Sequence, residues 1–302
     1  MRVLSLCDGI SCGQEALRKL GIPIEKYFSS EIDKYCIKTI QKNFPNTIQI
    51  GDMKDVYYED GTLYWNGGSF KGKIDLVIAG TPCQDLSSFK QKAKGLNGEK
   101  SSLFWYFVKI LWEIEPKYFL LENVKMKKEW KDIITKELKV EPIEINSSDF
   151  SAQNRVRLYW TNIPQLKWIV KNIKFKEILE NLPFREIPKC FFQKWGDKNR
   201  IDKGLNWIKN NKANCLTTKN CHTNQYLLNE DKTKIRLLTA QEFEKLQTLP
   251  LGYTDGISNG ERFKCIGNGW TIDVIAHILS KLKIMEVKQE AMQSEAPHSS
   301  QA

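Results

Sequence analysis

The sequence lacks several features that would place it in common classes of protein. No run approaches the roughly 20 consecutive apolar residues that a membrane-spanning helix needs, so we do not expect a transmembrane protein. No GxxxxGK[ST] segment occurs, which argues against a nucleoside triphosphate as ligand. The eight cysteines form no CxxC pair, and the short cluster of Cys215, Cys221 and His222 has no matching second pair. A metal centre is therefore not expected.

Acidic residues are the minority among the charged ones: 36 Asp and Glu stand against 46 Lys and Arg, a net charge of +10. A basic excess favours contact with phosphate backbones or other anionic surfaces. The same composition is compatible with a lysine-rich protein that has no polyanionic partner. The N-terminus shows no signal-peptide core, because its first apolar run ends at Cys7. We therefore expect an intracellular protein with reduced cysteines.

Residues 1–163 alternate strand and helix signals, beginning with a strand at Arg2–Leu6. Tyr57–Lys73 contains two hairpin-type turn signals and predicts a β insertion. Ile74–Ala79 and Tyr118–Leu121 are continuous apolar runs, which are typical of strands buried on both faces. This alternation predicts an α/β domain with a mostly parallel sheet and helices on both faces.

Glycines and acidic residues follow the first three predicted strands. Gly9 and Gly13 allow the backbone to turn tightly and approach a ligand at the carboxyl edge of the sheet. Glu31 ends the second strand, where an acidic residue can bind ribose hydroxyls, and Asp52 follows the third. An ordinary turn with solvent-facing acids is the alternative interpretation.

A cysteine and a glutamate follow the two buried strands. Cys83 comes directly after the first of them, and Glu122 ends the second, so neighbouring strands would place a nucleophile beside an acid. The glycine-spaced stretch 90–100 could fold over a bound substrate. Arg155 and Arg157 alternate, and their side chains point the same way if this stretch is extended.

These segments resemble the cytosine-5 DNA methyltransferase family over roughly residues 1–283. The matching segments occur in the family's order: LSLCDGISCG, SSEID, GDM, GTPCQDLS, LLENV, SAQNRVR, RLLTAQEFEKLQTLP and GNGWTIDVI. They are most similar to the de novo methyltransferase catalytic domains of animals and their phage and bacterial relatives. The resemblance implies a Rossmann-like S-adenosylmethionine-dependent methyltransferase fold with a small target-recognition domain. It also implies action on double-stranded DNA, in the cytoplasm of a bacterial or phage-infected cell.

The resemblance implies a role for each catalytic candidate. Cys83 would attack carbon 6 of a flipped-out cytosine, and Glu122 would hold or protonate ring nitrogen 3. Asn123 would brace the cysteine loop. Arg157, and less firmly Arg155, would bind the carbonyl oxygen of the base or the adjoining phosphate. The reaction needs a thiolate, because carbon 5 is too weak a nucleophile until a thiolate adds next to it.

The resemblance also implies a set of S-adenosylmethionine-binding residues. Glu31 would hold the ribose, Asp52 and Met53 the adenine, and the C-terminal segment would complete the site. The expected set is Cys7, Asp8, Gly9, Ile10, Glu31, Ile32, Asp52, Met53, Asn268 and Trp270. Many relatives have phenylalanine where this chain has Cys7, which predicts some loss of cofactor affinity. The usual Pro-Pro-Cys is Thr81-Pro82-Cys83 here.

The predicted domain order follows from the same comparison. Residues 1–163 would form the catalytic and cofactor-binding domain, 164–235 the recognition region, 236–286 a segment that completes the catalytic domain, and 287–302 a disordered tail. The recognition region is rich in basic and aromatic residues, which can bind phosphate and enter a groove. Its candidates are Lys167, Trp168, Lys171, Lys174, Lys176, Lys194, Trp195, Lys198, Arg200, Lys203, Trp207, Lys209 and Lys212. A solvated lysine-rich loop is the alternative.

Two other functions remain open at this point. A transfer-RNA cytosine-5 methyltransferase shares the catalytic fold, although the Cys-Phe-Thr element of that family is not found here. A catalytically inactive DNA-binding regulator on the same fold is the other, and the presence of Cys83, Glu122 and Arg157 argues against it. The sequence does not specify the target bases.

Overall fold

The computed structural model of the protein describes residues 1–82, 96, 98, 102–187, 205–209, 211–218 and 226–294, with side chains as far as Lys283. The strands are β1 (Arg2–Leu6), β2 (Lys26–Ser30), β3 (Ile48–Gln49), β4 (Tyr57–Glu59), β5 (Thr62–Trp65), β6 (Gly68–Lys71), β7 (Leu76–Gly80), β8 (Tyr118–Val124), β9 (Ile143–Asn146), β10 (Val156–Thr161), β11 (Arg185–Glu186), β12 (Asn206–Trp207), β13 (Tyr226–Leu228) and β14 (Lys234–Leu237). The helices are α1 (Cys12–Leu20), α2 (Lys34–Asn43), α3 (Leu103–Ile114), α4 (Lys128–Leu138), α5 (Phe175–Ile178), α6 (Ala240–Leu246), α7 (Asn259–Asn268) and α8 (Ile272–Ser294). None of the helices among these residues is long and apolar enough to cross a membrane.

Seven strands form the central sheet in the order β3-β2-β1-β7-β8-β10-β9. All neighbouring pairs are parallel except those made by β10, which runs antiparallel to both β8 and β9. The predicted mostly parallel α/β sheet is confirmed. Because β7 and β8 are parallel neighbours, Gly80 lies directly opposite Glu122 in their register.

Apolar side chains alternate between the two faces of this sheet. Val3 and Ile78 belong to the core on one face, and Leu4 and Ala79 to the core on the other. These residues are fully buried, and each large aliphatic side chain contributes about 1.5–3 kcal/mol through its burial. Two-sided burial explains why the central strands are continuous apolar runs in the sequence.

The C-terminal segment returns to the first helix of the domain. Helix α8 shares the core of α1 through Ile275, Leu279 and Leu17, and Lys19 of α1 pairs with Asp273 of α8. This return places the loop between α7 and α8 at the carboxyl edge of the central sheet.

Two helical segments differ from the sequence prediction. Helix α7 (Asn259–Asn268) was not predicted from the sequence; its start is capped by the Ser258 side chain. Helix α8 runs to Ser294, so residues 287–294 are helical although their polar composition predicts disorder. Lys, Gln, Glu, Ala and Met in this stretch are strong helix formers, and the helix is already nucleated on its packed N-terminal half.

Two small sheets complete the fold. The predicted β insertion is the antiparallel sheet β4-β5-β6, and the second sheet has the order β11-β14-β13-β12. The second sheet has a small core of Leu205, Leu228 and Ile235. Arg236 of β14 forms a buried ion pair of 2.6 Å with Glu242 of α6, which fixes this sheet to the C-terminal segment.

Candidate active site

The Glu122 carboxylate lies at the carboxyl edge of the central sheet and is held from two sides. Arg157 approaches one oxygen, with 3.0 Å between Nε and Oε1. The indole N–H of Trp270 donates to the other oxygen, Oε2, at 3.1 Å. Glu122 is only 8% exposed, so each of these donors offsets part of the cost of removing the carboxylate from water.

The residue after Glu122 connects β8 to the end of the neighbouring β7 segment. Asn123 is buried, and its Nδ2 donates to the hydroxyl of Thr81 at 3.1 Å and to the carbonyl of Thr81 at 3.3 Å. Thr81 and Pro82 are the last described residues before Cys83, and Cys83 itself lies outside the described residues, as does most of the stretch 90–100. The predicted adjacency of the two strands that carry Cys83 and Glu122 is confirmed.

The two arginines of the SAQNRVR segment have different partners. Arg155 is 3% exposed, and its guanidinium donates to the main-chain carbonyls of Leu216 at 3.1 Å, Gly267 at 3.0 Å and Gly269 at 2.9 Å. Burial and the like charge of Arg157 lower the pKa of Arg155. Among the described residues Arg155 therefore contacts the protein's own backbone, whereas Arg157 contacts the acid.

The Glu31 carboxylate bridges the ends of β2 and the turn after β1. It accepts hydrogen bonds from the main-chain N–H groups of Gly9 at 2.7 Å, and of Ile32 and Asp33 at 2.8 Å each. Gly9 has φ +60°, and a Cβ there would meet nothing within 4 Å, so open space lies beside this turn. Burial raises the pKa of Glu31 above its usual range, although the three N–H donors act in the opposite direction.

Asp8 stabilises the same turn after β1. Its carboxylate accepts hydrogen bonds from the hydroxyls of Ser5, Tyr27 at 3.0 Å and Ser29 at 2.7 Å, and its N–H donates to the carbonyl of Ser30. Burial raises the pKa of Asp8 despite these hydroxyl donors. Asp8 thus connects the turn after β1 to both β1 and β2.

Cys7 and Met53 meet beside this turn, with 3.4 Å between Sγ and Sδ. Burial, followed by the charges of Glu31, Asp52 and Asp8, raises the pKa of Cys7 to about 12. Cys7 is therefore a neutral thiol at physiological pH. Asp52 begins the short 3-10 helix Met53–Asp55 and accepts from the N–H of Lys54 at 3.0 Å.

The remaining predicted cofactor residues differ in exposure. Ile32 is 72% exposed, whereas Ile10 is fully buried and its carbonyl accepts from the hydroxyl of Tyr253. Asn268 is exposed at the end of α7. Trp270 follows Gly269 and has its indole against Gly80.

Basic residues of the predicted recognition region fall into two groups. Lys174, Lys176 and Lys209 line an open cleft of about 330 Å³ together with Glu230, which lies 3.8 Å from the Lys209 ammonium. Lys212 instead donates to the main-chain carbonyls of Ser148, Ser151 and Ile173, and Lys171 pairs with Asp273. Five other candidates of this region lie outside the described residues: Lys194, Trp195, Lys198, Arg200 and Lys203.

The comparison with known families identifies the class of protein. Residues 1–182 and 166–284 match the family described as C-5 cytosine-specific DNA methylase. These ranges span nearly the whole chain, so the protein belongs to this family.

Individual relatives agree with this assignment. The chain is 28% identical over 288 residues to the orphan methyltransferase M.SPRI of Bacillus phage SPR, covering 86% of this chain and 60% of that protein. It is 27% identical over 279 residues to the type II methyltransferase M.NgoBV of Neisseria gonorrhoeae, covering 83% of this chain and 63% of that protein. The chain thus spans less than two thirds of the length of these curated relatives.

A solved structure shows the same fold. The Entamoeba histolytica methyltransferase EhMeth superposes with a TM-score of 0.70 at 17% identity, covering 95% of this chain and 98% of that one. At this identity the likeness is one of fold.

Sequence reasoning missed two features of the site. It did not predict that Trp270 contacts Glu122, because 148 residues separate them and no spacing pattern relates them. It also did not predict the hydroxyl donors to Asp8. Alternate polar positions in the first two strands, Ser5 and Ser29, were a usable signal, since a hydroxyl in a buried strand needs a partner.

Proposed function

We propose that the protein transfers a methyl group from S-adenosylmethionine to carbon 5 of a cytosine in double-stranded DNA. The observation that carries the proposal is the Glu122 carboxylate, held between Arg157 and Trp270 at the sheet edge. Asn123, the residue after Glu122, is hydrogen-bonded to Thr81 in the segment that leads to Cys83. Membership of the cytosine-specific family supports the same reaction.

Glu122 and Arg157 are proposed to act on the cytosine ring. Glu122 can accept a hydrogen bond from the exocyclic amine, and in its protonated form it can donate to, or protonate, ring nitrogen 3. Arg157 is proposed to donate to the base carbonyl oxygen, because a guanidinium can donate to several acceptors. Charge drawn toward nitrogen 3 makes carbon 6 more electrophilic and so favours attack there.

Cys83 is proposed as the nucleophile. Its thiolate would add to carbon 6, which makes carbon 5 nucleophilic. S-adenosylmethionine, when bound, would supply the methyl group for carbon 5 and leave as S-adenosylhomocysteine. A base then removes the proton from carbon 5, the double bond re-forms and the thiolate leaves. The target carbon is stacked inside a duplex, so the nucleotide must be extruded first.

The described residues fit S-adenosylmethionine. Glu31 lies beside the open turn at Gly9 and can accept from ribose hydroxyls, while exposed Ile32 offers apolar surface for the adenine. Met53, whose side chain is buried, is proposed to lie beneath the adenine site. Asp52 is proposed to contact the adenine amino group. The cofactor supplies an activated methyl group, and the protein supplies its binding and orientation.

We propose the recognition role for residues 164–235. The cleft lined by Lys174, Lys176 and Lys209 supports contact with phosphates, because clustered lysines neutralise a nucleic-acid backbone. The phage and bacterial relatives support DNA in the cytoplasm of a bacterial or phage-infected cell as the substrate.

One experiment tests the reaction, the substrate and the target site together. The protein is expressed in cells without cytosine methylation, and their DNA is analysed by bisulfite sequencing. In vitro, duplex DNA and transfer RNA are compared as methyl acceptors, and a 5-fluorocytosine duplex is used as a covalent trap. We expect methylation of DNA and a trapped complex that is absent from Cys83→Ala.

The control is the cofactor affinity of Cys83→Ala, which should stay close to wild type. Methylation of transfer RNA alone would replace the proposed substrate. Trapping that persists in Cys83→Ala would remove Cys83 from the mechanism.

A further inference from the structure

Trp270 joins the C-terminal segment to the proposed catalytic acid. Its indole N–H donates to Oε2 of Glu122 at 3.1 Å, and Arg157 holds the other oxygen. We infer that Trp270 is a positioning residue for Glu122, in addition to any contact with the cofactor. The inference rests on the proposed methyl transfer and deepens it.

The absence of a side chain at residue 80 permits this contact. Gly80 lies opposite Glu122 in the register of β7 and β8. A Cβ on Gly80 would come within 2.9 Å of Cζ2 and 3.0 Å of Nε1 of the Trp270 ring. Contacts this short would force the indole to move, so glycine at this position lets the indole lie across β7 and reach the carboxylate on the next strand.

The backbone on both sides of Trp270 is fixed by buried groups. Arg155 and Gln247 each donate to the carbonyl of Gly269, at 2.9 and 3.0 Å. The Trp270 N–H itself donates to Sγ of Cys12 at 3.3 Å, and the Thr271 hydroxyl donates to Gln247 at 2.7 Å. The indole is therefore oriented by the protein, which is what positioning of a catalytic group requires.

A donor on each oxygen has a defined effect on the geometry of the carboxylate. Arg157 and Trp270 hold opposite oxygens and so fix the orientation of the Glu122 carboxylate. Loss of the indole N–H should therefore lower kcat, which depends on that orientation. A residue that only forms a wall of the cofactor site would instead raise the KM for S-adenosylmethionine.

The test uses Trp270→Phe, which keeps an aromatic ring and removes the N–H. Its matched control is Trp112→Phe on α3, where the indole is 49% exposed. For Trp270→Phe we expect kcat to fall about tenfold with the KM for S-adenosylmethionine within threefold. Trp112→Phe should leave both constants close to wild type.

A second measurement does not depend on activity. The nine tryptophans give separate indole signals in ¹H–¹⁵N spectra, and that of Trp270 is assigned by through-bond experiments on wild type. Glu122→Gln replaces a charged acceptor with a neutral one, so at constant pH the Trp270 indole proton should move upfield more than any other indole proton. This reading needs neither the Trp270 variant nor a methylation assay.

Two results would overturn the inference. One is a Trp270 indole signal that does not respond to Glu122→Gln. The other is a Trp270→Phe enzyme whose only defect is a raised KM for S-adenosylmethionine, with kcat unchanged. If wild-type protein methylates no DNA, the proposed function fails, and the indole signal still decides whether Trp270 holds Glu122.

Discussion

Asn123 on β8 donates from its amide to both the carbonyl and the hydroxyl of Thr81, at the end of the neighbouring strand. Its own Oδ1 accepts from the N–H of Val124 at 2.8 Å. One buried amide therefore ties the strand that carries Glu122 to the segment that leads to Cys83. Substitution of Asn123 should therefore lower the catalytic rate more than the affinity for the cofactor.

Asn123→Ala should lower kcat at least tenfold and leave the affinity for S-adenosylmethionine unchanged. Removing the amide leaves buried groups of Thr81 without a donor, which costs about 1–3 kcal/mol in unfolding free energy. Steady-state kinetics and calorimetry measure the two effects. Asn162→Ala is the control, since Asn162 bonds Lys117 and Phe119 at the opposite end of β8. Equal losses of kcat in both variants would show that Asn123 supports only the fold.

Arg155 and Arg157 should respond differently to substitution. Arg157→Lys keeps the charge but loses the fork that holds Glu122, so activity should fall at least tenfold with little change in stability. Arg155→Ala removes the donor to three main-chain carbonyls and should lower the free energy of unfolding by about 3 kcal/mol. Urea denaturation and initial rates separate the two. A stable but inactive Arg155→Ala protein would place Arg155 at the substrate instead.

Cofactor affinity should decrease on mild acidification. Burial raises the pKa of Glu31, so protonation, which removes acceptor capacity for ribose hydroxyls, begins at a higher pH than for an ordinary glutamate. Calorimetric titration between pH 5 and 8 measures this. Glu31→Gln should bind about ten- to a hundredfold more weakly at pH 8 and should lose the pH dependence. Unchanged pH dependence in that variant would assign the effect to another group.

The same raised pKa has a consequence for folding. A carboxyl whose pKa is higher in the folded protein favours the folded state at low pH, and this contribution is lost as pH rises through the folded-state pKa. Burial raises the pKa of Asp8 as well. Glu31→Gln should therefore differ from wild type most in its free energy of unfolding at pH values above those at which an ordinary carboxyl group titrates. Urea denaturation at several pH values measures this difference.

Two lysines of the recognition region should respond differently to substitution by alanine. Lys209→Ala should weaken binding to all DNA sequences alike and reduce the salt dependence by about one unit of slope, because Lys209 lines the open cleft. Lys212→Ala should reduce stability, because the Lys212 ammonium donates to three carbonyls. Fluorescence anisotropy over a salt series and thermal melting measure the two outcomes. If Lys212→Ala instead shows the reduced salt slope at unchanged stability, its role is in DNA binding.

Specificity is tested by exchange of the whole segment. Replacing residues 164–235 with those of a relative should transfer the relative's target site, because residues that reach base edges determine specificity. Bisulfite sequencing reports the site. A folded, active chimaera that keeps the original site would place specificity elsewhere, and the stretch 90–100 would be the next candidate.

Local sequence patterns predict most of the strands and the positions of several site residues. The apolar runs at β7 and β8 identify buried parallel strands, and the residue after such a strand must lie at the carboxyl edge of the sheet. That rule is sufficient to place Glu31, Asp52 and Glu122. It fails for Arg155 and Arg157, which share a sequence motif but contact different groups.

The fold class, the succession of strands along the first 163 residues and the family could be read from local periodicity and from motifs in their order. Other features came only from the folded chain: which donors hold Glu122, which lysines donate to main-chain carbonyls, and that residues 287–294 are helical. Hydrogen bonds and ion pairs join residues that the chain brings together over long separations, and no local pattern encodes those distances. Trp270 reaches Glu122 because α8 packs on α1 and because Gly80 leaves room for the indole.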